Sequence, residues 1–122
     1  MRIPKDNTAA VMIDIQERLY PAMHNKEALL NKLETLIKGL IQLNIPIVAA
    51  QQYTKGLGET IEPLKNLLEN AAPVEKLSFS CCDEPALMSE ISDTGKKYIV
   101  VFGIEAHVCV LQTVIDLIEK GY

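Results

Sequence analysis

The chain has 122 residues, with 12 Lys+Arg against 16 Asp+Glu and a formal net charge of −4. With 48% hydrophobic and 23% charged residues, disorder is excluded, and a single domain over residues 1–122 can bury about two-thirds of the surface its unfolded form exposes. The acidic balance, without any run of Lys or Arg, argues against nucleic acid and against an anionic membrane surface as partners.

The N-terminus, Met1-Arg2-Ile3-Pro4-Lys5-Asp6-Asn7, has no apolar segment behind its basic residues and does not read as a signal peptide. The longest apolar candidate, Tyr98 to Gly103, falls far short of a membrane span. Three cysteines, two of them adjacent, do not make a disulfide framework. A reduced, cytoplasmic protein is expected.

Strand and helix patterns alternate along the chain. Thr8 to Ile15 contains the run Ala9-Ala10-Val11-Met12-Ile13, which suits a strand buried on both faces. Asn25 is placed to cap a helix whose Leu29, Leu30, Leu33, Leu36, Ile37, Leu40 and Ile41 form one apolar stripe. Asn44 ends that helix before Pro46. A second strand is expected over Ile45 to Ala50, then a flexible loop, Tyr53 to Gly58, then a helix from about Thr60 to Asn70. A third strand follows over Val74 to Phe79, and Asp83-Glu84-Pro85 opens the next helix, which Gly95 ends. Tyr98 to Gly103 is the fourth strand, and the last helix runs from about Ala106 to Lys120 before Gly121. This order predicts an α/β fold: a parallel sheet flanked by helices, a Rossmann-like three-layer α/β/α arrangement. Stopping at Gly121-Tyr122, where another strand would normally begin, it is expected to be C-terminally truncated or completed in a homo-oligomer, with the fourth strand a hydrophobic edge.

In such sheets the site lies beyond the carboxyl ends of the strands, where strand order reverses. Those ends carry Asp14 and Gln16, Gln51 and Gln52, Lys76 and Ser78, and the turn Gly103 to Cys109. Cys109 falls in the first turn of the last helix, where the helix dipole favours a thiolate. A neighbouring Lys ammonium lowers a thiol pKa further, and a carboxylate can accept its proton. On this reading Cys109 is an acidic, selectively reactive thiol. The alternatives are ordinary: Cys109 as a small core residue, Asp14 as a turn former, Lys76 as a solvated charge. His107, two positions before Cys109, points to another helix face and does not form a dyad with it. Cys81 and Cys82 read as packing. Lys55-Gly56-Leu57-Gly58 lacks the phosphate-loop pattern.

Three segments, Ile13-Asp14-Ile15-Gln16, Glu75-Lys76-Leu77-Ser78-Phe79 and Gly103-Ile104-Glu105-Ala106-His107-Val108-Cys109-Val110-Leu111-Gln112-Thr113, resemble the isochorismatase-like cysteine hydrolases. The loop Gln51 to Gly58 looks most like the isochorismatase-domain branch that lacks a characterised activity, rather than the related nicotinamidases. The resemblance implies a catalytic triad of Asp14, Lys76 and Cys109, hydrolysing an amide-type C–N bond of a small molecule through a thioester. It also implies an oxyanion hole from the backbone N–H groups of Glu105 and Cys109, a cis peptide before Glu105, and a pocket lined by Gln16, Tyr20, Gln52, Ile104 and His107. Isochorismate-cleaving members lack the cysteine, so its presence favours C–N hydrolysis. Nicotinamidases bind a metal through an Asp-x-His motif; here Gln51-Gln52-Tyr53-Thr54 stands in that place, and His24 and His107 are the only histidines. Neither metal nor cofactor is expected. Competing readings are a non-catalytic binding or scaffold domain keeping the triad as a remnant, and a redox-sensing thiol.

Overall fold

The computed structural model describes residues 1–122 as a four-stranded parallel sheet in the order β3-β2-β1-β4. The strands are β1 (Thr8–Ile13), β2 (Ile47–Gln52), β3 (Val74–Lys76) and β4 (Tyr98–Gly103). Helices α1 (Lys26–Gln42), α2 (Thr54–Leu57), α3 (Glu62–Leu67), α4 (Pro85–Asp93) and α5 (Leu111–Glu119) connect and cover them. The expected α/β architecture is the one found.

Every residue of β1 is buried, because helices cover both faces of the sheet. Side chains alternate along a strand, so Ala10 and Met12 join Leu33, Ile37 and Leu40 of α1 and Leu64 of α3 on one side. Val11 and Ile13 join Leu87 and Ile91 of α4 and Leu117 of α5 on the other. These two apolar layers hold the sheet between them. No helix is long and apolar enough to cross a membrane.

Element boundaries move for local reasons. β1 stops at Ile13 rather than Ile15 because Asp14 takes a left-handed conformation, φ 54°, which breaks the pleat. Asn44, also left-handed, closes α1 as expected: its N–H bonds Ile41 O at 3.0 Å and the Ile45 N–H bonds Leu40 O at 2.9 Å. Ile45 is therefore spent on the helix end, and β2 begins two residues later than its hydrophobicity predicts. Asn25 does precede α1, but its side chain makes no capping bond; it is left-handed too. β3 ends at Lys76, not Phe79: Leu77 and Phe79 are exposed where the chain turns away. The expected long helix over 60–70 shrinks to α3, and the segment expected to be a flexible loop contains α2. That segment and the residues just after it are tied to the chain leaving β1 by Arg18 N–H to Leu57 O (3.0 Å), Glu17 N–H to Glu59 O (2.9 Å) and Ile61 N–H to Ile15 O (3.0 Å).

Gly103 closes β4 against β1. It pairs with Ile13 at φ 138°, and a Cβ there would lie 2.1 Å from the Ile13 carbonyl oxygen. Only glycine allows the two strand ends to approach this closely. The chain then enters a π-helical turn, Ala106–Val110, before α5 begins. The Ile104–Glu105 peptide is cis, as the resemblance implied.

Candidate active site

Asp14 leaves the end of β1, Gln52 ends β2, Lys76 ends β3, and Cys109 sits in the π turn after β4. All four lie at the carboxyl edge of the sheet. β2 and β4 flank β1 on opposite sides, so the strand order reverses beside Asp14.

Lys76 is fully buried, which removes the solvated-charge alternative. Its Nζ lies 2.8 Å from Asp14 Oδ2, donates to Gln52 Oε1 at 2.5 Å, and donates to Ser78 O at 3.0 Å. Three acceptors surround an ammonium with three protons, so the buried cation is both neutralised and saturated. Gln52 is held in turn: its Nε2 donates to Leu77 O at 3.2 Å.

Asp14 is also fully buried. Its Oδ2 pairs with the Lys76 ammonium, and the Cys109 thiol lies beside the same carboxylate. Burial pushes its carboxyl above the ordinary range, against the pull of Lys76. A buried carboxylate with a raised pKa is a better proton acceptor than a surface aspartate.

Cys109 is buried among Val11, Ile13, Leu87 and Leu117, and its thiol interacts with both Asp14 and Lys76. The expectation of an acidic thiol is overturned. Burial and the Asp14 carboxylate push Cys109 up to about 11, and Lys76 does not offset them. The thiol therefore keeps its proton at rest, next to a group able to take it. Cys81, behind the site, is pushed by burial to about 12, and Cys82 is raised by the same cause.

Other residues expected at the pocket have structural employment. Gln16 is fully buried; its Nε2 donates to Gln52 O (2.7 Å) and Gly58 O (2.8 Å), and its Oε1 accepts the Gln52 N–H (2.7 Å). It braces the end of β2. The Tyr20 hydroxyl donates to Lys26 O at 2.8 Å, which directs it to the start of α1. Ile104 is buried in the layer under α1. His107 is exposed, its Nε2 3.6 Å from Glu105 Oε2, so it faces solvent and not Cys109. The structure thus unites Asp14, Lys76, Cys109 and Gln52, and leaves Tyr20 and His107 outside that cluster. Gln51, singled out only by its place at a strand end, orders the following loop: Oε1 accepts the Thr60 N–H at 2.8 Å. No three His, Cys, Asp or Glu side chains converge as a metal set would. A cleft of about 520 Å³ lies at the opposite end of β2 among Ile45, Pro46, Leu67 and Leu68, away from every one of these groups.

Residues 8–122 match the isochorismatase domain. The chain belongs to the isochorismatase family. It is 37% identical over 112 residues to isochorismatase domain-containing protein 1 of Danio rerio, an alignment covering 89% of this chain and 38% of that protein. The isochorismatase-family fold is seen again in the MAR1 ribonuclease structure from Caenorhabditis elegans, with TM-score 0.88, 37% identity, and coverage of 99% of this chain and 62% of that one. The octameric YcaC hydrolase from Escherichia coli shares the fold at TM-score 0.90 and 22% identity, with coverage of 99% and 61%. The chain thus spans between 38% and 62% of the length of these relatives.

Proposed function

We propose that this isochorismatase-family chain carries the site of a cysteine hydrolase acting on an amide-type C–N bond of a small molecule. The observation that carries the reading is a buried thiol facing a buried carboxylate that is itself paired with a buried ammonium. The Cys109 sulfur attacks the carbonyl carbon while Asp14 accepts the thiol proton. The oxygen becomes an oxyanion, for which the N–H groups of Glu105 and Cys109 are the proposed donors; the Glu105 N–H has no backbone acceptor within the protein. Collapse expels ammonia or an amine, which leaves with the proton held by Asp14. Water then attacks the thioester, giving its proton to Asp14, and the acid departs as the thiol is restored. Lys76 keeps Asp14 in place and offsets negative charge throughout. Its protons are committed, so it acts as a fixed charge and not as an acid.

A panel of small primary amides, with released ammonia as the readout, tests this. Turnover abolished by Cys109→Ala is expected; equal turnover in that variant refutes the nucleophile.

The nematode relative's name favours a second reading, cleavage of RNA. Against it stand the net charge of −4 and a site cation wholly buried and occupied by its own neighbours. Incubation with labelled single-stranded RNA discriminates: cleavage dependent on Cys109 or Asp14 replaces the amidase reading, and intact RNA supports it.

A further inference from the structure

The site is assembled from separate strand ends, and the Cys109 turn must be fixed against the segment that follows Lys76. The π turn Ala106–Val110 does not have the regular α-helical bonding that would do this. One buried side chain bonds to both. Thr113, fully buried on α5, donates its hydroxyl to Cys109 O at 2.7 Å. The same Oγ1 accepts the Cys81 N–H at 3.0 Å. Cys81 opens the 3-10 turn Cys81–Asp83, on the chain leaving Lys76.

A helical threonine commonly returns its hydroxyl to the carbonyl four residues back. Accepting a buried N–H from another element is not local chemistry. It makes a polarised chain from Cys81 N–H through Thr113 Oγ1 to the carbonyl of the proposed nucleophile, inside an otherwise apolar layer. Valine has the same shape, but would leave the Cys81 N–H without its partner.

We propose that Thr113 is a positioning residue, its hydroxyl clamping the Cys109 turn to the turn after Lys76 and so setting how the thiol faces Asp14 and Lys76. The assignment rests on the triad reading above, while the hydrogen-bond chain itself requires no substrate. Held inward by this clamp, the thiol feels the burial and the Asp14 carboxylate that raise it; released, it approaches an ordinary cysteine.

The test compares the full wild-type chain with Thr113→Val and Thr113→Ser, each shown to be folded by circular dichroism. Iodoacetamide alkylation of Cys109 is followed by mass spectrometry across pH 7 to 11. Thr113→Val should move the midpoint of alkylation down by about one pH unit, and Thr113→Ser, which keeps the hydroxyl, should retain the wild-type profile. An unmoved profile in folded Thr113→Val overturns the assignment, as does a Ser variant displaced as far as the Val variant. If Thr113→Val does not fold, Thr113→Ser decides: a wild-type profile supports the clamp and a shifted one overturns it. Ammonia release from the amide panel separates the two readings. Labelling differences without turnover in any protein leave Thr113 assigned and defeat the hydrolase; full turnover in Thr113→Val does the reverse.

Discussion

A thiol enclosed by apolar side chains and faced by a carboxylate holds its proton, and this shapes the behaviour of Cys109. Its pKa is raised from 9.0 to about 11 in the folded chain. A group raised on folding contributes stability that is complete below its unfolded pKa and is lost as pH climbs through the folded value. Thermal melts between pH 8 and 11 should therefore show the wild type losing stability faster than Cys109→Ser; parallel losses would contradict the burial of that thiol. Lys76 offers a second check. Lys76→Met leaves the Asp14 carboxylate buried without its cation, and should cost about 3–5 kcal/mol in urea unfolding. Adding Asp14→Asn should recover much of that loss. If the single variant is as stable as the wild type, the ion pair is not buried as described.

At the level of elements, the junction of β1 and β4 sets the distance between Asp14 and the Cys109 turn. Gly103→Ala would put a Cβ 2.1 Å from the Ile13 carbonyl oxygen, at a φ that disfavours any side chain. It should destabilise by roughly 2–4 kcal/mol, measurable in the same urea assay, and neutral behaviour would mean that the strand ends can part. Much of this layer was legible beforehand. The run Ala9 to Ile13 announces a strand buried on both faces, and Asn44 before Pro46 announces the end of α1. The limits of β3 were not, since Leu77 and Phe79 read as strand yet turn outward, and hydrophobicity alone does not say which residue last finds a ladder partner. Asp14, Lys76 and Cys109 could be placed at one rim from strand order. The sign of the Cys109 shift could not, because it depends on how much burial and carboxylate weigh against one ammonium. Thr113 was visible only as a hydroxyl on an apolar helix, and the partner that gives it meaning lies 32 residues away in sequence.

For the whole molecule, β4 is an edge strand, and Leu111, Ile115 and Ile118 form an exposed apolar stripe on α5. Exposed edges and apolar stripes favour association. The purified chain should sediment as more than a monomer, and the pair Ile115→Glu and Ile118→Lys should shift it toward the monomer; a wild-type monomer at tens of micromolar would contradict this. The central claim concerns chemistry at one atom, and a covalent intermediate reads it most directly. Intact-protein mass spectrometry during turnover of a hydrolysed primary amide should show an acyl adduct that maps to Cys109. That adduct should be absent in Cys109→Ser, whose ammonia release should fall by about a thousandfold or more. Ammonia released at the wild-type rate by Cys109→Ser, or an adduct mapped to any other residue, would contradict the account.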